Sequence, residues 1–224
     1  MHTSAMINCQ SFFETYAKSF SNENVRVIEI GSQNINGSLR TLSPQGFEYI
    51  GVDFVAGEGV DVILDDPYKL PFDSGSADIV LSSSCFEHSE MFWIIFLEIL
   101  RVLKSKGLFY LNVPSNGPFH RYPVDCWRFY PDSGRALVAW AKRNGINAAL
   151  LESYTSVQVE DVWNDFVAVF ARDERFVSEF PRRILDDKED MTNGLLYHKE
   201  EFIRRERLPE DQKKLLAILE PQST

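Results

Sequence analysis

Between residues 25 and 172, short apolar runs rich in Val, Ile, Leu and Phe alternate with stretches of helical character. The runs at 25–30, 48–53, 61–64, 77–82, 107–113, 148–158 and 166–172 read as strands, since polar or turn-forming residues bound them. Helices are predicted between them at 37–42, 91–103 and 132–143. The first run, VRVIEI, is continuous rather than alternating, as parallel strands buried on both faces are. Strands alternating with helices predict an α/β fold, a doubly wound, mostly parallel sheet of seven strands. The link 159–165 is too short for a parallel crossover, so the last strand is predicted antiparallel.

The flanks differ in character. Residues 9–20 have the spacing of a short amphipathic helix, within an N-terminal helical segment, 1–24. From Arg175 onward, charge runs such as LDDKED and FIRRERLPEDQKK dominate, with Pro181, Pro209 and Pro221 as breaks. A central domain at 25–173 is therefore expected. A charged helical extension follows at 174–224, either solvated or serving as a lid or homo-oligomer contact.

Composition removes some classes of function. A net charge of −10 repels phosphate backbones and anionic lipid, so neither nucleic acid nor membrane is expected as a partner. The three cysteines, Cys9, Cys85 and Cys126, are far apart and form no CxxC pair, which argues against a disulfide framework or a zinc site. Residues 1–10 lack the charged and apolar regions of a signal peptide. The most apolar stretch, 91–103, is interrupted by Glu98 and Arg101 and is short of a membrane span. A reducing, cytoplasmic setting is expected.

The chemistry starts at VIEIGSQNINGS, residues 27–38, where a buried strand turns at Gly31 and a helix is predicted to begin near Gly37. Glycine there permits positive φ and close approach of a ligand to the backbone, although an ordinary strand–helix turn has the same residues. Asp53 closes the next strand, 22 residues beyond Gly31. A carboxylate at that distance can accept both hydroxyls of a ribose, and alone it reads equally as a turn former. The G-x-G-x-x-G fingerprint is absent, since Gly31 is followed by Ser32 and Gln33, and no G-x-x-x-x-G-K-[ST] loop occurs. These residues describe a nucleoside site without a phosphate seat.

EIGS at 29–32, YIGVD at 49–53, DPYKLPF at 66–72, SADIVLSS at 76–83, FEH at 86–88 and LRVLKSKGLFYLNVP at 100–114 follow one another in order. Together they resemble the class I S-adenosylmethionine-dependent methyltransferases, in particular the small-molecule, type 11-like branch. The resemblance implies a Rossmann-like sheet and S-adenosylmethionine as cofactor. The family's E/D-x-G-x-G-x-G is reduced here to EIGSQNING, so the glycine loop is atypical. By resemblance, Glu29 and Gly31, with Ser32 beside them, lie against the methionine part of the cofactor. Asp53 holds the ribose diol, Asp66 accepts from the adenine amino group with Pro67 and Tyr68 beside the ring, and Ser82 and Ser83 lie near the sulfonium. Asp66 also reads as a turn or cap, and the serines as a polar strand end.

The loop PSNGPFHRYPVDCWRFY, 114–130, concentrates aromatic and charged residues suited to covering a pocket and holding an acceptor, or to packing back on the domain. Arg121, Tyr122, Trp127 and Arg128 are the candidate acceptor contacts. A hydroxyl or amine acceptor needs a base, for which His120 ranks first, then His88, which follows Glu87 as an acid–His pair, then Asp125. No His/Cys/carboxylate cluster has metal-ligand spacing along the chain, so no metal is expected. The expected activity is methyl transfer to a small molecule, with a sugar or nucleotide-sugar of surface-polysaccharide synthesis as one acceptor class. A catalytically silent cofactor-binding protein is the main rival, and a nicotinamide-dependent oxidoreductase a weaker one.

Overall fold

A computed structural model describes residues 2–20, 24–160 and 162–219. The outermost residues of the expected N-terminal segment and C-terminal extension, Pro221 among them, lie outside the described residues. Eight strands form one sheet: β1 (Arg26–Ile30), β2 (Glu48–Asp53), β3 (Val62–Ile63), β4 (Ala77–Ser83), β5 (Leu103–Pro114), β6 (Ala149–Ser156), β7 (Asp165–Ala171) and β8 (Met191–Leu196). Their order is β3-β2-β1-β4-β5-β7-β6-β8. Strands β1 to β5 pair in parallel, and β7 runs antiparallel to both β5 and β6. The doubly wound sheet with an antiparallel seventh strand is therefore present.

Alternation along the strands divides the core. Ile28, Phe109, Leu111 and Phe170 face one apolar cluster with Ile95, Phe96 and Ile99 of α2 (Phe92–Val102) and Leu137 of α3 (Ser133–Arg143). Val27, Leu108, Tyr110 and Val169 face the other, with Phe12, Phe13 and Tyr16 of α1 (Thr3–Tyr16). Side chains alternating across a strand produce this division when helices cover both faces. The N-terminal helix is stitched to β6 and β5: Tyr16 Oη donates to Glu152 Oε1 at 2.5 Å and Asn8 Nδ2 to Asn112 Oδ1 at 3.1 Å.

Two expectations change. The segment after Asp173 is not simply helical: it supplies β8, antiparallel to β6, as an eighth strand. Its sequence MTNGLL buries Met191 and Leu195, a short apolar signal lost among the flanking charges. The helix α4 (Glu210–Leu219) is not free in solvent at its start, since Asp211 accepts from Asn116 Nδ2 at 3.1 Å and from the Gly117 N–H at 3.2 Å. The helix expected over 37–42 is a single 3-10 turn, Leu39–Leu42. Asn34, Asn36, Gly37 and Ser38 are turn formers; Asn34 Oδ1 accepts the Gly37 N–H at 2.9 Å, and Gly37 sits at φ +128°. No helix among the described residues is long and apolar enough to cross a membrane.

Candidate active site

The carboxyl ends of β1, β2 and β4 meet where strand order reverses, the place at which open α/β sheets bind ligands. Gly31, at φ +80°, leaves β1 against Cys85: a Cβ there would stand 2.7 Å from Cys85 Cβ and 2.9 Å from its Sγ. The N–H groups of Gly31 and Ser32 both donate to Val52 O, at 2.9 and 3.2 Å. The turn's donors are thus spent on the protein, not presented as a helix N-terminus.

Asp53 ends β2 and is 9% exposed. Its Oδ1 accepts from the N–H groups of Phe54 and Val55, at 2.7 and 3.3 Å, and its Oδ2 from Gln33 N–H at 3.2 Å. A carboxylate has about four acceptor positions, so about one remains for a ligand hydroxyl. Ser32 Oγ is buried just past the end of β1 without a hydrogen-bond partner among the described residues, while Ser82 Oγ, buried at the end of β4, meets the Cys85 thiol. Ser83 is buried next to Ser82. An unpartnered Ser32 hydroxyl and a partly free carboxylate, at a turn where a Cβ does not fit, suit a nucleoside-bearing cofactor.

Glu29 lies deeper, 2% exposed, and accepts from Tyr49 Oη at 2.7 Å. Burial pushes its carboxyl up to about 7, against the opposing pull of Tyr49 and Arg40, while Asp53 adds to the rise. Asp66 and Pro67 sit in an exposed turn, where Asp66 Oδ1 accepts the Tyr68 N–H at 2.8 Å.

The loop after β5 closes on the same edge. Tyr122 Oη donates to Gln33 Oε1 at 2.8 Å, joining the aromatic loop to the turn beside Asp53. Asp125 organises this loop. Its carboxylate takes Arg128 in two hydrogen bonds, at 2.6 and 2.9 Å, and the His120 N–H at 2.7 Å. Arg128 holds that carboxyl down at about 2. Arg128 also donates to Pro118 O at 2.8 Å, so its guanidinium braces the loop. Arg121 and Tyr122 are exposed, and Trp127, with Phe92, Trp93, Phe129 and Trp140, lines an aromatic cavity of about 500 Å³.

His88 stands on a 3-10 turn (Phe86–His88) after β4, with Nδ1 2.5 Å from Val124 O. A carbonyl oxygen only accepts, so Nδ1 carries the hydrogen and Nε2 keeps its lone pair. Burial holds His88 below the ordinary imidazole range. The rings of His88 and His120 meet edge to face, with centroids 4.8 Å apart. Glu87 is 1% exposed, and burial pushes its carboxyl up to about 8. The structure thus gathers Glu87, His88 and His120, with a ligand atom of each within 4.8 Å of the others, contrary to the spacing along the chain. The long-range fold-back of the loop, anchored by Cys126 N–H to Glu87 O at 2.7 Å, makes this cluster. Gln33 as a bridge and Glu87 as a cluster member have no signal in local spacing.

Residues 15–111 match a family model described as a methyltransferase domain. No curated protein sequence matches the chain. Among solved structures, Burkholderia thailandensis 1,6-didemethyltoxoflavin-N1-methyltransferase, with 1,6-didemethyltoxoflavin and S-adenosylhomocysteine bound, superposes with a TM-score of 0.57 at 14% identity, over 76% of this chain and 79% of that one. A chain of the complex between the Haloferax volcanii Trm112 methyltransferase activator and a methyltransferase gives 0.52 at 17% identity, over 75% and 90%. A Methanococcus maripaludis protein described as an S-adenosyl-L-methionine-dependent methyltransferase gives 0.50 at 17%, over 77% and 88%. At these identities the likeness is one of fold. Residues 15–111 are thus similar to a methyltransferase domain, and the chain shares its fold with these solved methyltransferase structures.

Proposed function

We propose that the chain transfers the methyl group of S-adenosylmethionine to a hydroxyl or amine of a small molecule, with a sugar or nucleotide-sugar of surface-polysaccharide synthesis as the favoured acceptor class. The carrying observation is the Tyr122–Gln33 hydrogen bond, which joins the aromatic loop that carries His120 to the turn beside Asp53. When bound, the cofactor supplies a methyl group already activated on a sulfonium, so the protein's task is alignment and exclusion of water. Asp53 accepts from the ribose, Gly31, Ser32, Ser82 and Ser83 line the methionine side under Glu29, and Asp66 and Pro67 border the adenine. Tyr122, Arg121 and Trp127 contact the acceptor, and Arg128 holds their loop in place.

One imidazole of the His88–His120 pair takes the acceptor's proton. His120 is our first assignment, because its side chain is 37% exposed and can meet a ligand, whereas His88 is 12% exposed. Asp125, held ionised by Arg128, orients His120 rather than acting as the base. Incubation with S-adenosylmethionine and a panel of sugars, nucleotide-sugars and amines should release S-adenosylhomocysteine with one class of acceptor. Cofactor binding without turnover on any of them would favour a silent binding protein, a reading to which the spending of the Gln33 N–H on Asp53 lends weight.

A further inference from the structure

We infer that Glu87, His88 and His120 form a binding site for one divalent transition-metal ion of the zinc class. A ring nitrogen of each histidine and a carboxylate oxygen of Glu87 lie within 4.8 Å of one another, and His88 Nε2 is 3.8 Å from Glu87 Oε1. Two imidazoles and one carboxylate form a donor set that holds Zn²⁺ with an open position, and the same set holds iron(II). At metal–ligand distances of about 2.0–2.2 Å, three ligands stand roughly 3–3.5 Å apart. A closure of about 1 Å completes the site. His120, the most exposed of the three and carried on a loop, supplies it.

Three further features point to a cation. Glu87 Oε2 is buried and has no hydrogen-bond partner among the described residues. A fully enclosed carboxylate oxygen without a donor is costly unless a cation or proton meets it. His88 donates its Nδ1–H to the Val124 carbonyl, which fixes the tautomer and frees Nε2, the arrangement that orients metal-bound histidines. His120 Nδ1 is buried without a hydrogen-bond partner among the described residues, with Asp125 Oδ2 3.4 Å away. The charged groups acting on Glu87 are Asp165, Asp125 and Arg128, so the surroundings carry more negative charge than positive.

The metal's part in catalysis rests on the function proposed above; its binding does not. In methyl transfer such an ion lowers the proton affinity of an acceptor hydroxyl. With both imidazoles serving as its ligands, the acceptor's proton passes to water, in place of the imidazole base of the metal-free chain, as the O–CH₃ bond forms and the S–CH₃ bond breaks, leaving a neutral thioether. The test is calorimetric titration of the full chain, stripped with a chelator, with Zn²⁺, and visible absorption of the Co²⁺-loaded protein. One equivalent should bind. Glu87→Gln and His120→Ala should each weaken it beyond the roughly 10–100-fold that loss of an outer-sphere partner costs, and should alter the Co²⁺ bands. Cys126→Ser should leave binding intact. Equal binding by wild type and Glu87→Gln, loss in Cys126→Ser instead, or no binding at all would overturn the site. Titration of the same samples with S-adenosylhomocysteine reads the cofactor site separately: metal binding with cofactor silence supports the ion site while removing the methyl-transfer reading, and cofactor binding without metal does the reverse.

Discussion

Gly31→Ala tests whether the first turn is built for close approach. The new Cβ would meet Cys85 Cβ at 2.7 Å and Cys85 Sγ at 2.9 Å, while Cys85 Cα stands farther away at 3.9 Å. Holding alanine at φ +80° costs about 1–2 kcal/mol. Crowding this half-buried sulfur and methylene adds about 1–3 kcal/mol. Together the variant should lose about 2–5 kcal/mol, a large part of a typical 5–15 kcal/mol domain stability. In urea denaturation, with a slope of about 2 kcal/mol/M, the midpoint should fall by roughly 1–2.5 M. Cys85→Gly removes both atoms that the new Cβ would touch. In that background Gly31→Ala should cost only the backbone share, so the double-mutant cycle should show a coupling of about 1–3 kcal/mol. Strict additivity, or a Gly31→Ala variant as stable as wild type, would refute the argument from contact with Cys85.

Asp53→Asn keeps an oxygen for Phe54 and Val55 but can set an amide N–H₂ against the Gln33 N–H; with the fold retained, S-adenosylhomocysteine affinity should fall by about 1–3 kcal/mol in calorimetry. Unchanged affinity would remove Asp53 from the cofactor site. Glu29 binds protons more tightly in the folded chain than unfolded, with its carboxyl at about 7 under the influence of Tyr49, Arg40 and Asp53. Its contribution is therefore present below about pH 4.5 and is lost as pH rises through about 7, by about 3 kcal/mol. Denaturation curves from pH 5 to 8 should show this decline, and Glu29→Gln should flatten it. His120→Ala should lower turnover roughly 10²–10⁴-fold while leaving S-adenosylhomocysteine affinity nearly unchanged, as steady-state kinetics and calorimetry would show.

The sheet was legible because its signals are local. VRVIEI, YIGVDF and SADIVLSS each announce a buried strand without help from the rest of the chain. The short link 159–165 likewise fixed the direction of the seventh strand. MTNGLL did not announce β8, since its pairing with β6 depends on tertiary burial of Met191 and Leu195 inside a charge-rich stretch. The site divides in the same way. Asp53 and Gly31 follow from strand ends. The convergence of Glu87 and His88 with His120 depends on a loop returning across the sheet edge, held by Asp125, Arg128 and the Cys126 N–H. The 3-10 turn at Leu39–Leu42 replaced a helix because Asn34 and Gly37 settle the backbone locally first.

Calorimetric titration of the wild-type chain with S-adenosylmethionine, S-adenosylhomocysteine and NAD bears most directly on the claim that the edge at Gly31 and Asp53 is a methyl-donor site. Micromolar binding of the first two, abolished or strongly weakened in Asp53→Ala, and no binding of NAD are expected. Binding of NAD alone, or silence from both S-adenosyl compounds, would contradict it.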